Sequence, residues 1–195
     1  MKKIPTIFIR NPDNMSEILP KPHPDCDWVF RNEGVATRKY NGTCVLIDGG
    51  NYYKRREIRK GKIPPPDFIE IEHDQNTGKR VGWVPVKPDD KADRWHIEAF
   101  KEDLDDGTYE LCGPKIQGNP EEYGIHVLIQ HSKAEQYEKV PRTYVGLKQW
   151  FSDKPIEGIV FHHPDGRMAK IKKRDYGLSR KQSNNQMQPT AKGGG

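Results

Sequence analysis

The chain has 195 residues, 33% hydrophobic content and a net charge of +5, enough for one buried core beside a generous share of loop. No apolar run approaches membrane-spanning length, and Met1-Lys2-Lys3-Ile4-Pro5 lacks the apolar region of a secretory signal, so a cytoplasmic or nucleocytoplasmic protein with no membrane partner is expected, and it is taken as a monomer. Cys26, Cys44 and Cys112 are widely spaced and form no CxxC pair, which argues against a disulfide framework or a cysteine zinc site.

The positive balance and a pI near 9.0 favour a polyanionic partner, whether nucleic acid or nucleotide phosphate. Sixteen Pro and eighteen Gly predict many short elements rather than long helices. Taken in order, Thr6-Ile7-Phe8-Ile9 is a short apolar run before a proline-rich loop, and His23 falls between two of its prolines as a loop residue. Trp28-Val29-Phe30 reads as a strand or connector, closed by Asn32-Glu33-Gly34. Cys44-Val45-Leu46-Ile47 reads as a strand ending in the turn Asp48-Gly49-Gly50-Asn51, with an antiparallel partner beginning at Tyr52. That partner carries six cations between Lys54 and Lys62, so it is either a solvated edge strand or a phosphate-binding face.

Phe68-Ile69-Glu70-Ile71-Glu72 alternates as a strand with one wet face, and Pro85 marks Gly82–Val86 as an edge strand or extended loop. Thr108 to Cys112 predicts a strand whose Glu110 would be costly unless it meets a cation or polar ligand. Ile125 to Ile129 is expected as a buried strand, with His126 half-buried and unpartnered. Apolar residues at 144, 147, 150 and 151 fit an amphipathic helix devoted to packing. Ile156 to Phe161 and Met168 to Lys172 form the last hairpin, with His162-His163 assigned to its turn. Lys170 and Lys172 share one face of the return strand, predicted to line a cleft because the opposite face is apolar. After residue 178 the pattern is lost, giving a domain over residues 1–178 and a disordered polar tail over 179–195.

The chemistry centres on Lys39, followed by Asn41 and Gly42. A lysine amine becomes a nucleophile when neighbouring cations or desolvation lower its pKa, and the arginines of the next strand are the expected source. Lys39-x-Asn41-Gly42, Arg56 and Arg59, Glu110, Glu157-Gly158-Ile159-Val160 and Lys170-x-Lys172 follow in that order. Any one match is weak, and the order gives them weight. The set resembles the covalent nucleotidyltransferases, the ATP-dependent DNA and RNA ligases and mRNA capping enzymes. Gly42-Thr43-Cys44, Gly82-Trp83-Val84-Pro85-Val86, Trp95-His96, Glu110-Leu111-x-Gly113 and Gly118-Asn119-Pro120 are similar, within that group, to the vertebrate-type 5′-to-3′ RNA ligase family. The likeness spans about residues 34 to 178. Asn41 departs from it, since the usual first motif carries Asp there.

The resemblance implies an α+β nucleotidyltransferase domain of antiparallel sheets around an ATP cleft, with few helices; no OB domain is expected, since DNA ligases and capping enzymes usually carry one after the Lys-x-Lys motif and only 23 residues follow Lys172 here. It implies an ATP-dependent RNA ligase that joins 5′-phosphate and 3′-hydroxyl ends of RNA through a lysyl-AMP on Lys39. Lys170 and Lys172 would act with Lys39 and hold the α-phosphate. Asn41 and Gly42 would lie in the nucleotide site, Arg56 and Arg59 would clamp phosphates, and Glu110 would contact the ribose. Glu157 would meet the metal, Mg²⁺ or Mn²⁺. A DNA ligase or capping-type enzyme is the neighbouring reading, and a non-catalytic RNA- or nucleotide-binding domain is the plainer one.

Overall fold

The computed structural model describes residues 2–180, and the remainder of the expected tail lies outside them. Three antiparallel sheets carry the fold, which is α+β with few helices. β1 (Phe8–Arg10) and β2 (Ile18–Pro22) form a small ladder, with Pro20 and Pro22 tolerated because β2 has only one partner. A four-stranded sheet runs in the order β10 (Gln136–Tyr137), β3 (Val35–Lys39), β11 (Gly158–His162), β12 (Met168–Lys172). A six-stranded sheet runs β6 (Ile69–Asp74), β7 (Lys79–Pro85), β5 (Asn51–Ile58), β4 (Thr43–Asp48), β8 (Gly107–Cys112), β9 (Val127–Gln130).

Each large sheet has its own apolar cluster. Ala36, Ile159, Phe161, Ala169 and Ile171 turn their side chains from the four-stranded sheet into a core shared with Trp28, Leu147 and Phe151. Val45, Ile47, Tyr109 and Leu111 do the same on the six-stranded sheet, covered by Ala99 and Trp95 of α2 (Arg94–Ala99). Because side chains alternate along a strand, Lys39, Lys170, Lys172 and Arg55 fall on the remaining faces, mixed with apolar residues such as Val81, Val160 and Met168. These mixed faces line the cavities described below. No helix among the described residues is long and apolar enough to cross a membrane.

Several expectations are revised. Trp28-Val29-Phe30 belongs to a short helix, α1 (Asp27–Phe30), that follows a 3-10 turn at Pro24–Cys26 capped by the His23 side chain. β7 is an interior strand, since Pro85 is its final residue and leaves the preceding ladder intact. Ile125 is 68% exposed and precedes β9, which is an edge strand of intermediate burial. α3 (Tyr144–Phe151) forms as expected, with the Thr143 hydroxyl accepting from the Gly146 amide at its N-cap. Contacts also continue past residue 178: Arg180 donates to the Pro155 carbonyl and pairs with Glu121.

Candidate nucleotide site

Lys39 is the last residue of β3, and Thr43 is the first of β4, so Tyr40-Asn41-Gly42 is the crossover from one large sheet to the other. Two carboxylates hold it by consecutive amides. Glu121 accepts from the Asn41 amide at 2.8 Å, and Glu110 accepts from the Gly42 amide at 2.9 Å. Gly42 cannot be replaced without movement, because a Cβ would sit 2.1 Å from the Leu111 carbonyl oxygen. Glu121 also receives Arg38 at 2.8 Å and Arg180 at 3.0 Å, with a side chain only 1% exposed. It thus fixes the residues on both sides of Lys39. No sequence signal marked Glu121, whose partners lie about 60 to 80 residues away along the chain.

Glu121→Gln is expected to destabilise the fold by roughly 2 kcal/mol, since two guanidiniums lose their counter-charge and an amide NH2 faces a donor. Urea unfolding of both proteins measures this; a difference under about 0.5 kcal/mol would rule out the clamp.

The register across the four-stranded sheet brings the lysines together. Lys39 pairs with Gly158, which pairs with Lys172; Thr37 pairs with Val160, which pairs with Lys170. With no side chain at Gly158, Glu157 stands between two ammoniums: its Oε2 receives Lys39 at 2.6 Å and its Oε1 pairs with Lys172 at 2.6 Å. Burial alone would push the Glu157 carboxyl up, but Lys39 and Lys172 outweigh it and hold the group below its ordinary range. Lys170 has no ion-pair partner among the described residues. Burial, then the charges of Lys172 and Lys39, bring its ammonium down to about 8.

Two cavities meet at Lys39. One, of about 480 Å³, is lined by seven Lys or Arg side chains (Lys2, Lys3, Lys39, Arg55, Lys79, Lys170, Lys172) against four acids (Glu57, Glu72, Asp74, Glu110), and so favours an anion. The other, of about 260 Å³, is walled mostly by uncharged groups including Thr37, Val160, His162 and Met168, with Arg38, Lys39, Glu110 and His131 also lining it. The Thr37 hydroxyl is 2.9 Å from His162 Nε2, and burial followed by the nearby His131 keeps the His162 imidazole below its usual pKa. His131 Nε2 donates to Glu110 Oε2 at 3.1 Å, while its Nδ1 lies 2.9 Å from the Thr108 hydroxyl. Glu110 therefore spends one oxygen on the crossover and the other on His131.

The structure groups Lys39, Gly42, Glu110, Lys170 and Lys172 around one cavity, with Glu157 joined to Lys39. Arg56 and Arg59 are not there. Arg56 is exposed and has the parity of Lys54, which turns to buried Asp93 on the opposite face, and Arg59 lies past the end of β5. Arg55 takes the cleft position instead. Asn41 lines neither cavity and contributes its backbone amide to Glu121. The nearest charge on Lys39 is an acid, Glu157, rather than the cations expected there. His162 is not in the turn but ends β11 and walls the smaller cavity, whereas His163 points away towards Trp28 and Glu33. His126 lies outside any strand, stacked on Trp95 and 2.8 Å from Glu98. Burial first, with Glu110 adding to it, raises the Cys44 and Cys112 thiols to about 12, so neither supplies a thiolate at neutral pH.

The sequence pattern of the RNA ligase 1 family matches residues 97–191, taking in Glu110, Glu157, Lys170 and Lys172 and reaching into the stretch expected to be a tail. RNA ligase 1 of Pongo abelii is 30% identical over 155 residues, covering 60% of this chain and 47% of the relative. RNA ligase 1 of Rattus norvegicus is 29% identical over 160 residues, covering 64% and 46%. The protein of the same name from Danio rerio is 27% identical over 149 residues, covering 59% and 43%. The chain spans about half the length of these relatives. The acids and lysines that converge beside Lys39 thus lie in a chain similar to the RNA ligase 1 family, with Glu110, Glu157, Lys170 and Lys172 inside the stretch its pattern matches.

Proposed function

We propose that the protein is an ATP-dependent RNA ligase of nucleotidyltransferase fold, working through a lysyl-AMP on Lys39. The observation that carries this is the place of the Lys39 amine, at the seam between a largely uncharged cavity and a cation-rich one. A nucleoside in the first and its phosphates in the second would put the α-phosphorus beside that amine. In the first step the Lys39 ammonium gives a proton to solvent, its nitrogen bonds the α-phosphorus and pyrophosphate departs. The AMP then passes to a 5′-phosphate oxygen of RNA and frees Lys39. Finally a 3′-hydroxyl attacks the activated RNA phosphorus, forming the phosphodiester and releasing AMP. Each displacement at phosphorus depends mainly on positioning and charge neutralisation.

Lys170, desolvated and unpaired, is best suited to meet the phosphate whose charge must be offset, with Lys172 and Arg55 beside it. Glu110, already bonded to Gly42 and His131, faces the seam where a ribose would lie. Glu157 holds the Lys39 ammonium in place, and its low proton affinity makes it an aligner of that group rather than its base.

Among the described residues no cluster of three His, Cys, Asp or Glu forms a metal cage. Glu157, the carboxylate expected to meet Mg²⁺ or Mn²⁺, has both oxygens on the ammoniums of Lys39 and Lys172 and lines neither cavity, so the ion would have to arrive on the nucleotide phosphates and displace one of those lysines to reach it. When bound, the ion supplies charge to the departing pyrophosphate. RNA would be held first by its phosphates on the basic face, so binding should weaken steeply with salt.

Intact-protein mass after incubation with ATP and Mg²⁺ tests the reading, with peptide mapping to find the modified residue. A gain of one AMP on Lys39 is expected. Absence of the gain, with GTP and Mn²⁺ also tried and the purified protein checked for AMP already attached, would leave a nucleotide- or RNA-binding domain.

A further inference from the structure

Residues preceding β1 complete the cleft in a way no motif indicated. Thr6 forms a parallel bridge with Lys170. The Ile7 amide donates to the Lys170 carbonyl at 3.0 Å, and the Lys170 amide donates to the Pro5 carbonyl at 2.9 Å. At the other end, the Lys3 amide donates to Glu72 Oε2 at 2.7 Å. β12, which carries Lys170, is the edge of the four-stranded sheet, and β6, which carries Glu72, is the edge of the six-stranded one. The segment from Lys3 to Ile7 therefore crosses from one sheet edge to the other.

Its side chains are sorted as the cavities are. Ile4 lines both, while Lys2 and Lys3 line only the cation-rich one. Among the described residues neither lysine ammonium has an ion-pair partner, unlike Lys79, which is bonded to Glu57. Two unpaired ammoniums beside an apolar side chain suit a ligand with a polyanionic end and an aromatic or sugar body.

We propose that Lys2–Ile4 is a nucleotide-binding strap, with Ile4 packing on the nucleoside and Lys2 and Lys3 holding the outer phosphates of a ribonucleoside triphosphate. This rests on the nucleotide reading of the cleft and adds a binding segment that lies well before the region matched by the family pattern. Glu72 positions the strap through the Lys3 amide and leaves both lysine side chains available.

The test is equilibrium ATP binding to the Lys39→Ala protein, in which the bond to residue 39 cannot form, with and without Lys2→Ala and Lys3→Ala together. The pair of substitutions is expected to weaken ATP binding at least about tenfold, through the loss of two solvent-facing charge-assisted contacts, and to leave adenosine binding unchanged. Ile4→Ala is expected to weaken ATP and adenosine alike by about fivefold through lost apolar contact. Equal ATP affinity with and without Lys2 and Lys3 overturns the strap, even where the wild type gains AMP and the ligase reading stands. Should the wild type gain no AMP, inorganic tripolyphosphate becomes the probe. Weaker tripolyphosphate binding after loss of the two lysines supports the strap, and equal or absent binding overturns it.

Discussion

Lys39→Arg is expected to abolish AMP acquisition, on the order of 10⁴-fold or more, while leaving the melting temperature nearly unchanged. Arginine can keep the ion pair with Glu157 and the cationic balance of the cleft, because a guanidinium is also a donor to carboxylate. It cannot become a nucleophile, because it does not lose its proton at accessible pH. The substitution thus separates the charge at position 39 from the lone pair. Intact mass after ATP and Mg²⁺, alongside thermal unfolding, reads both. AMP still arriving on the Lys39→Arg protein would mean that another side chain takes it, Lys170 or Lys172 first, and would sink the assigned nucleophile. A fall in both AMP gain and melting temperature would show that the cleft needs the lysine for its shape.

Lys170→Met should make the protein more stable and less active. The folded-state pKa of Lys170, about 8, lies below the ordinary lysine value of 10.5, so folding disfavours its charged form. The sign follows from linkage. Below pH 8 the residue is charged in both states and the full cost of burying it is present. That cost falls as pH rises from 8 to 10.5, and it is gone above 10.5, where both states are neutral. Methionine keeps length and removes the charge, giving a gain of about 2 kcal/mol at pH 7 once residual solvent is allowed for, or about 4–8 °C in melting temperature. The gain should shrink between pH 8 and 10.5. AMP acquisition should fall roughly 10²- to 10³-fold with loss of a preorganised cation. Equal melting temperatures of the two proteins at pH 7 would remove the basis for calling Lys170 a strained, ligand-seeking charge.

The parts of this site that were legible in the sequence are those encoded locally. Alternation and turn residues set out the β4–β5 and β11–β12 hairpins, and alternation alone put Lys170 and Lys172 on one face over a buried Ala169 and Ile171. Helical spacing found α3. Three apolar residues in a row carry no period, so Trp28-Val29-Phe30 gave no means of telling a helical turn from a strand. Strand parity separates Arg55 from Arg56 but does not say which face meets the ligand; that was settled by buried Asp93, which draws Lys54 to the other side. Thr37, His131 and His162 were invisible as a group because they sit on different segments and meet only through sheet pairing and a turn. Glu121 was hidden for the same reason.

The two apolar clusters have a consequence for how the protein could work through repeated cycles. Lys39, Glu157, Lys170 and Lys172 belong to one sheet and its flanks, and Glu110 and Arg55 to the other. Each sheet buries its hydrophobic residues on the side away from the other's ligand face. Prising the sheets apart would therefore wet the mixed linings of the two cavities and leave both cores dry, so its cost falls on those linings and on hydrogen bonds at the crossover and the strap rather than on either apolar cluster. On the proposed mechanism, product exit would need only breathing at Tyr40–Gly42 rather than unfolding. An AMP joined to Lys39 while its sugar and phosphate touch both halves would act as a staple, making the charged intermediate the stiffest species in the cycle.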